Sequence, residues 1–314
     1  MKKQLILPLL FIVALSACDK VDDPFPEKKD ISFSLDETTE YIVDADLNIN
    51  DTTALKKLFT DHQWDTIAAP DNSTKRFIVV EEFTGHKCLN CPRGTWEIVR
   101  LDNIHQEQLI PVAIHAGTFA EPRPPKYSHD HRVGGDGGAG DTYLNTFGVT
   151  AYPSAMVSRT RQAELLSDAQ WDQRINSIKN DIPKVKIDLK NYIVKDTNSS
   201  AANILRIQID IEWLDNLTKE HQLQVFLTED NIIDWQDSAG VDLEFYNHRH
   251  MLRKVVNGNF GLELEAAEIG KKASYQYITT VDNKWKAKDM ESVVFIFEKS
   301  PSYEIIQGNA AHLR

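Results

Sequence analysis

The amino-acid sequence predicts a mixed α/β region followed by an all-β region. Residues 76–83 and 109–115 are compact apolar runs typical of buried strands. A helical spacing of apolar residues lies between them, and together the three segments predict a β–α–β unit. After residue 184 the chain alternates apolar and polar residues in short runs separated by polar turns, which indicates a β-sandwich.

The boundary between the two regions is predicted at a proline. Ser167 and Gln170 have the spacing of a capping box, and the apolar residues that follow fall on one helix face until Pro183 ends the helix. We therefore predict an α/β domain over residues 71–183 and an immunoglobulin-like β-sandwich domain over residues 184–314.

The middle of the first domain contains one long loop. Residues 117–141 are rich in proline and glycine, and a loop of this length inside a compact domain is usually functional or mobile. A short helix is predicted over residues 142–147, and two short strands are predicted over residues 155–158 and 163–166.

The first residues predict export. A basic start at residues 1–3 precedes an apolar run that is too short to cross a membrane. The Leu-Ser-Ala-Cys sequence that ends at Cys18 resembles a bacterial lipobox, which implies cleavage before Cys18 and its acylation, with palmitate as one acyl group. The alternative is ordinary cleavage that leaves Cys18 as a free thiol. We predict a lipoprotein signal peptide over residues 1–17, then a lipid-anchored tether and N-terminal segment over residues 18–70.

The amino-acid composition limits the classes of partner that the protein is expected to bind. The formal net charge of −12 makes the surface a poor match for nucleic acid or anionic lipid. No second apolar run approaches the length of a membrane span, so the membrane is expected to be a partner through the N-terminal lipid alone. An exported protein meets an oxidising environment, which permits a disulfide between the two remaining cysteines.

Those cysteines, Cys88 and Cys91, lie where the first predicted strand meets the helix. A helix N-terminus favours a thiolate, and Lys87 and Arg93 add positive charge. A CxxC at such a junction predicts a thioredoxin-like redox motif, with Cys88 as the exposed attacking thiolate and Cys91 as the resolving thiol one turn later.

Two further segments resemble the thioredoxin family. Residues 147–154, Phe-Gly-Val-Thr-Ala-Tyr-Pro-Ser, are similar to the loop that carries a cis-proline opposite the thiols, which implies this role for Pro153. Glu82 stands six positions before the first cysteine, where the family has an acid that accepts a proton from the resolving thiol. Lys87 and the Leu-Asn dipeptide between the cysteines depart from the common pattern, which leaves substrate and redox potential open.

The order of motifs also resembles a whole lipoprotein family. A lipoprotein signal, then Glu-Glu-Phe-Thr-Gly with Cys-x-x-Cys-Pro-x-Gly, then Gly-Val with Tyr-Pro-Ser, is similar to the twenty-eight-kilodalton outer-membrane proteins of Bacteroidetes-type bacteria. Residues 246–253 and 257–261 also resemble that family. The resemblance implies a lipid-anchored outer-membrane protein. Asp22 and Asp23 resemble the acidic signals that direct such lipoproteins to the cell surface, although a solvated tether explains them equally well.

Other readings of the polar residues stay open. The cysteine pair is alternatively an inert structural disulfide or, with His86, part of a metal site. His129-Asp130-His131 and Asp136 can chelate a metal, but a solvated polar loop is the expected explanation. Tyr246, His248, His250 and Arg253 are expected to pair with acidic residues inside the β domain. No metal and no cofactor are therefore predicted.

The predicted function is thiol–disulfide exchange on envelope proteins that carry thiols or disulfides. Cys88, Cys91, Glu82 and Pro153 would carry the chemistry. The alternative belongs to a different class: a binding or assembly lipoprotein that uses the thioredoxin-like domain as a scaffold with a structural disulfide.

Overall fold

The computed structural model describes residues 31–34, 40–44, 47, 49 and 52–314, with backbone alone for residues 31–34, 40 and 52. The predicted signal peptide and Cys18 lie outside these residues, so lipidation stays a prediction. Within the described residues, no helix combines the length and the apolar character needed to cross a membrane.

Helices are concentrated before residue 184. The described α-helices are α1 (Thr52–Asp61), α2 (Cys91–His105), α3 (Ala139–Thr146), α4 (Thr160–Ala163) and α5 (Asp168–Ile178). Short 3-10 helices span Gln106–Gln108, Gly117–Phe119 and Ala287–Asp289.

The described strands form three sheets. In chain order they are β1 (Ile31–Ser34), β2 (Glu40–Val43), β3 (Trp64–Ala68), β4 (Ile78–Thr84), β5 (Leu109–His115), β6 (Ser154–Val157), β7 (Val185–Val194), β8 (Ile204–Trp213), β9 (His221–Glu229), β10 (Ile232–Ser238), β11 (Val241–His248), β12 (Met251–Val255), β13 (Leu262–Glu263), β14 (Lys272–Thr280), β15 (Met290–Glu298) and β16 (Ile305–His312). A six-stranded sheet has the order β1-β2-β14-β8-β7-β3, and β10 pairs with β11 in a separate hairpin. An eight-stranded sheet has the order β16-β15-β9-β12-β5-β4-β6, with β13 paired to β9.

The eight-stranded sheet continues across the predicted domain boundary. Strand β12 pairs parallel to β5, with Met251 opposite Ala113, so strands from residues 71–183 and from residues 184–314 share one hydrogen-bonded ladder. The division at Pro183 into two independently folding domains stays a prediction, and any such division must separate this strand pair.

The two faces of this sheet have different covers, because successive residues of a strand point to opposite sides. On one face, Ile78 and Val80 of β4 join a core with α2 and α5, and Val294 and Ile296 of β15 join a core with the six-stranded sheet. On the opposite face, apolar residues of β4, β5, β9 and β15 form one continuous core, which includes Val79, Phe83, Ile114, Phe226 and Phe295.

Most predicted elements are present, and two predictions are wrong. The helix predicted to end at Pro183 ends at Ile178, and Ile182 is exposed. A mixed α/β part followed by a β-rich part is confirmed. Residues 163–166 do not form a strand. The chain instead makes a tight turn with positive φ at Arg159, Arg161 and Gln162, and Leu166 forms a single bridge to Ala155. The thioredoxin-like and immunoglobulin-like assignments of the two parts stay predictions.

Candidate functional site

Cys88 and Cys91 form a disulfide at the start of α2, with their Cα atoms 5.4 Å apart. Cys88 lies in the turn before the helix, and Cys91 is the first helical residue. The Cys91 N–H donates to the Cys88 carbonyl at 3.2 Å, and Pro92 occupies the first turn, where no backbone N–H is needed. The predicted strand–CxxC–helix order is therefore present.

The predicted exposure of Cys88 is wrong. Cys88 is only 3% exposed and Cys91 only 1%. The β10–β11 hairpin contacts the CxxC turn: the Gln236 amide donates to the Cys88 carbonyl at 3.0 Å, and the Ala239 N–H donates to the Leu89 carbonyl at 2.9 Å. Local pattern could not predict this cover, because Gln236 is 148 residues from Cys88 in the chain.

The hairpin is an excursion between two paired strands. Glu229 of β9 and Met251 of β12 are opposite each other, and the chain between them leaves the sheet and returns. Asn231 and His250, at the two ends of the excursion, have φ of 57° and 50°. Asp230 and Arg249 lie in the same two loops. Their ion pair, with 2.5 Å between Arg249 Nε and Asp230 Oδ1, joins the two ends of the excursion.

Glu82 and Pro153 meet at the first turn of α2. The Tyr152–Pro153 peptide bond is cis, as the loop sequence predicts. A Cβ added to Gly94 would collide with Glu82 Oε1 and lie 2.8 Å from Pro153 Cβ, so only glycine allows the helix this close to both residues. The structure thus brings Glu82 and Pro153 together beside the helix that Cys91 begins.

Glu82 is a buried acid for which the described residues provide no ion pair. The side chain is 3% exposed, and Oε1 has no hydrogen-bond partner among the described residues. Burial, and secondarily the charge of Asp168, raises the pKa of Glu82 to about 8. A cavity of about 10 Å³ beside it, lined by Thr95 and His250 among others, has the volume of about one water molecule.

A second group of polar residues lies close to the CxxC turn. His115, His131 and His248, which we call the three-histidine cluster, each offer a ring nitrogen, and these nitrogens lie within 4.8 Å of one another. The three side chains are buried. The ring of His86, two residues before Cys88, is 4.3 Å from the ring of His131 between centroids.

In three of these rings, those of His86, His131 and His248, the Nε2 atom has a hydrogen-bond partner. His131 Nε2 contacts Asp234 Oδ2 at 2.8 Å, and His248 Nε2 contacts the Trp235 carbonyl at 3.2 Å. His86 Nε2 contacts the Glu121 carbonyl at 3.0 Å.

The other ring nitrogens include buried atoms that lack partners. Nδ1 of His86, of His115 and of His131 has no hydrogen-bond partner among the described residues. Each buried polar atom left unpaired costs about 1–3 kcal/mol.

Burial keeps the rings of this region neutral. It lowers the pKa of His86 to about 4 and that of His248 to about 3. The second cause in both is the repulsion that a protonated His131 would exert on a second positive ring. Burial also lowers the pKa of His115 and of His131, although Asp234 opposes the shift at His131. Burial alone would raise the pKa of Asp234, but its hydrogen bonds, led by the one from His131, hold that pKa well below its usual range.

The predicted solvated loop at His129-Asp130-His131 is therefore only partly present. His129 is exposed, but His131 is 4% exposed and lies inside the protein. Asp136 is exposed and pairs with Arg132. The prediction that the polar group over residues 246–253 pairs with acidic residues is confirmed for Arg253, which pairs with Glu229 at 3.0 Å, whereas His248 contacts the Trp235 carbonyl instead of an acid.

The sequence motifs did not predict that these histidines lie close together. One signal was present in the sequence: His115 ends β5 and lies opposite Thr84 at the end of β4, two residues before His86. The carboxyl ends of adjacent parallel strands share an edge, so these two side chains could be placed together. His131 and His248 come from a long loop and from the hairpin, and no local pattern relates them.

The fold has counterparts among solved structures. A structure titled HBP35 of Porphyromonas gingivalis has a TM-score of 0.59 at 17% identity over 77% of this chain and 76% of that chain. A domain of the outer membrane lipoprotein Omp28 from Porphyromonas gingivalis has a TM-score of 0.28 at 19% identity over 42% of this chain and 90% of its own. The identity in both is low, and the first likeness shows the fold alone.

The sequence comparisons point to one family. No curated protein matches the chain. The model of the family described as outer membrane protein Omp28 matches residues 140–312, which is more than half of the chain and agrees with the family resemblance of the sequence motifs. This chain is therefore a member of the Omp28 family of outer-membrane lipoproteins.

Proposed function

We propose that the protein exchanges thiols and disulfides with proteins of the cell envelope, and that residues 71–183 act as its thioredoxin-like domain. The observation that carries the proposal is the placement of Glu82. A buried carboxyl with a pKa of about 8 lies against the first turn of the helix begun by Cys91, together with a cis-proline at Pro153. A proton acceptor works best when its pKa is near the operating pH.

The exchange has two steps. In the reduced form, the Cys88 thiolate attacks a target disulfide, forms a mixed disulfide and displaces one target thiolate. The Cys91 thiol then loses its proton to the Glu82 carboxylate and attacks the Cys88 sulfur, which releases the second target thiolate. Two electrons pass to the target, and the Cys88–Cys91 disulfide is the product. The same steps in reverse oxidise a target dithiol.

Access to the sulfur atoms depends on the β10–β11 hairpin. Because Cys88 is 3% exposed in the disulfide form, a partner protein can reach it only after the hairpin moves away. The two positive-φ residues at the base, Asn231 and His250, are where the chain turns out of the sheet and back. The hairpin therefore acts as a cover in this proposal.

Trapping of a mixed disulfide tests the proposal. In cells that carry Cys91→Ser, Cys88 should retain a disulfide to envelope proteins, visible on non-reducing gels and by mass spectrometry. Cys88→Ser is the matched control and should trap much less, because the remaining Cys91 lies within the first turn of the helix, whereas Cys88 lies in the turn before it. Absence of adducts from both variants would contradict exchange.

The burial of both sulfur atoms favours a second candidate function. In it, the protein is a non-catalytic binding or assembly lipoprotein, the disulfide is structural, and the immunoglobulin-like β-sandwich over residues 184–314 carries the binding surface. A native disulfide that resists millimolar dithiothreitol until the protein unfolds would support this candidate. Reduction under native conditions, with a reversible potential in the range of known exchangers, would support the first.

Both candidates share a location. We infer that a lipid on Cys18 holds the protein at the outer membrane, on the periplasmic face or the cell surface. Mass spectrometry of the N-terminal peptide tests this inference, and an unmodified Cys18 in the mature protein would contradict it.

A further inference from the structure

We propose that His115, His131 and His248 bind a transition-metal ion of the Zn²⁺ class beneath the β10–β11 hairpin. The first support is geometric. Each residue contributes a ring nitrogen, and the three nitrogens lie within 4.8 Å of one another. A tetrahedral ion with Zn–N bonds of about 2.0–2.1 Å separates its ligand nitrogens by about 3.4 Å, so small rotations of the rings would bring all three nitrogens to the ion.

The hydrogen bonds identify the nitrogen that faces the cluster in two of the rings. A carbonyl or carboxylate oxygen accepts hydrogen bonds, so His248 Nε2 and His131 Nε2 carry the ring protons that they donate to Trp235 and Asp234. With the proton on Nε2, Nδ1 of each ring carries a lone pair that can bind a metal ion. Nδ1 of His131 and Nδ1 of His115 are buried and have no protein partner among the described residues. Converging lone pairs repel one another, and a cation turns each of them into a bond.

The surroundings resemble those of a protein metal ligand. A metal-bound histidine ordinarily donates its second N–H to a carboxylate or a carbonyl, and this bond orients the ring. His131 has such a bond to Asp234, and His248 has one to the Trp235 carbonyl. His86, whose buried Nδ1 also has no partner among the described residues, has its ring 4.3 Å from that of His131 and lies beside the three ligands.

The three ligands come from three distant segments. His115 ends β5, His131 lies in the loop before α3, and His248 ends β11. A bound ion would therefore join the hairpin to the strands beside the CxxC turn. This proposal does not depend on thiol–disulfide exchange, because none of the three ligands is a cysteine.

Metal retention tests the proposal on the full-length protein with its disulfide intact. After treatment with a chelator, the protein is incubated with Zn²⁺, dialysed and measured by elemental mass spectrometry. We expect one equivalent of zinc. Substitution with Co²⁺ should give the intense visible absorption of a tetrahedral nitrogen site without thiolate charge-transfer bands. Zinc at background level in the wild-type protein would overturn the proposal.

Variants then locate the site. His131→Ala and His248→Ala should lose zinc, whereas His129→Ala, the matched control that also contacts Asp234 but is exposed, should keep it. Asp234→Asn keeps the ligands and should weaken binding about 10–100-fold, so the test survives if an alanine variant fails to fold. Equal zinc in the His131, His248 and His129 variants would overturn the site.

A cysteine variant separates this site from a thiolate site. Cys88→Ser with Cys91→Ser should retain the full equivalent of zinc. Loss of zinc in that double variant would place the ion on the cysteines and overturn the proposal.

Discussion

Glu81 and Glu82 are neighbours on β4, and both are buried, yet their surroundings differ completely. Glu81 accepts two hydrogen bonds from Arg159, at 2.7 and 2.6 Å, and both side chains are fully buried. The Arg159 guanidinium also lies about 5 Å from three aromatic rings, those of Phe147, Phe295 and Phe297. Glu82 points to the opposite face of the sheet, towards Gly94, and its Oε1 has no partner among the described residues.

The comparison shows that two adjacent carboxyl groups on one strand can have opposite electrostatic environments. A buried charge is tolerated when a partner with good geometry compensates its desolvation, and Glu81 has that partner. The described residues give Glu82 Oε1 no such partner, and burial raises the pKa of Glu82 to about 8, so this carboxyl holds its proton at neutral pH. The first carboxylate thus joins β4 to the turn after β6, and the second lies against the first turn of α2.

The largest expected effect comes from breaking the Glu81 pair. Arg159→Met leaves Glu81 as an unpaired buried charge and should lower the free energy of unfolding by about 3–5 kcal/mol in urea denaturation. The control is Arg100→Met, which removes a half-exposed ion pair and should cost less than about 1 kcal/mol. An equal loss in both variants would mean that burial of the pair is energetically irrelevant.

Glu82 is expected to have a smaller, pH-dependent effect. Its folded pKa of about 8 lies above the ordinary glutamate pKa of 4.5, so the folded state binds more protons than the unfolded state between these values. Stability should therefore fall as pH rises from 4.5 to 8. Glu82→Gln should match wild type below pH 4.5 and exceed it above pH 8 by roughly 2–4 kcal/mol.

Thermal and urea unfolding at a series of pH values measures this difference. Glu107→Gln, on the exposed 3-10 helix after α2, is the matched control and should leave the pH profile of wild type unchanged. A Glu82→Gln profile parallel to that of wild type would show that Glu82 is ionised in the folded protein at neutral pH.

Gly94 tests how closely α2 packs against Glu82. Gly94→Ala places a methyl group against Glu82 and Pro153 and should destabilise the protein by about 1–3 kcal/mol, although alanine normally favours a helix. The double variant with Glu82→Ala should recover part of this loss. If Gly94→Ala is neutral by urea denaturation, the contact between α2 and Glu82 is loose.

The smallest expected effect concerns the hairpin cover. Gln236→Ala removes the bond to the Cys88 carbonyl, and a hydrogen bond is worth about 1 kcal/mol, so reduction of the disulfide by dithiothreitol should accelerate about fivefold. Glu244→Ala, on the exposed side of β11, should reduce at the wild-type rate. Unchanged kinetics in the Gln236 variant would mean that this bond does not limit access to the sulfur atoms.

Local motifs predicted one part of the site well. The strand, the CxxC turn, the acid at Glu82 and the cis-proline at Pro153 each depend on residues close in sequence, and the structure brings Glu82 and Pro153 together against α2. The alternation that predicts strands β7 and β8 likewise reflects residues two apart.

The remaining features arise from contacts between distant segments. The pairing of β12 with β5 follows from backbone geometry that any apolar strand can adopt, so no side-chain pattern identifies it. Burial of Cys88 and of His131 depends on the hairpin residues Gln236 and Asp234, more than a hundred residues away. A single sequence gives no information on which loop covers which edge.

The β10–β11 hairpin is inserted between two strands that already pair with each other. Because Glu229 and Met251 are adjacent in the sheet, a turn of a few residues could join β9 to β12 directly and leave the ladder intact. The hairpin is thus a replaceable module, and an insertion of another length or composition would fit the same two anchor points. Exchange of this one segment would therefore change what covers the cysteine pair, while the pairing of β9 with β12 stays unchanged.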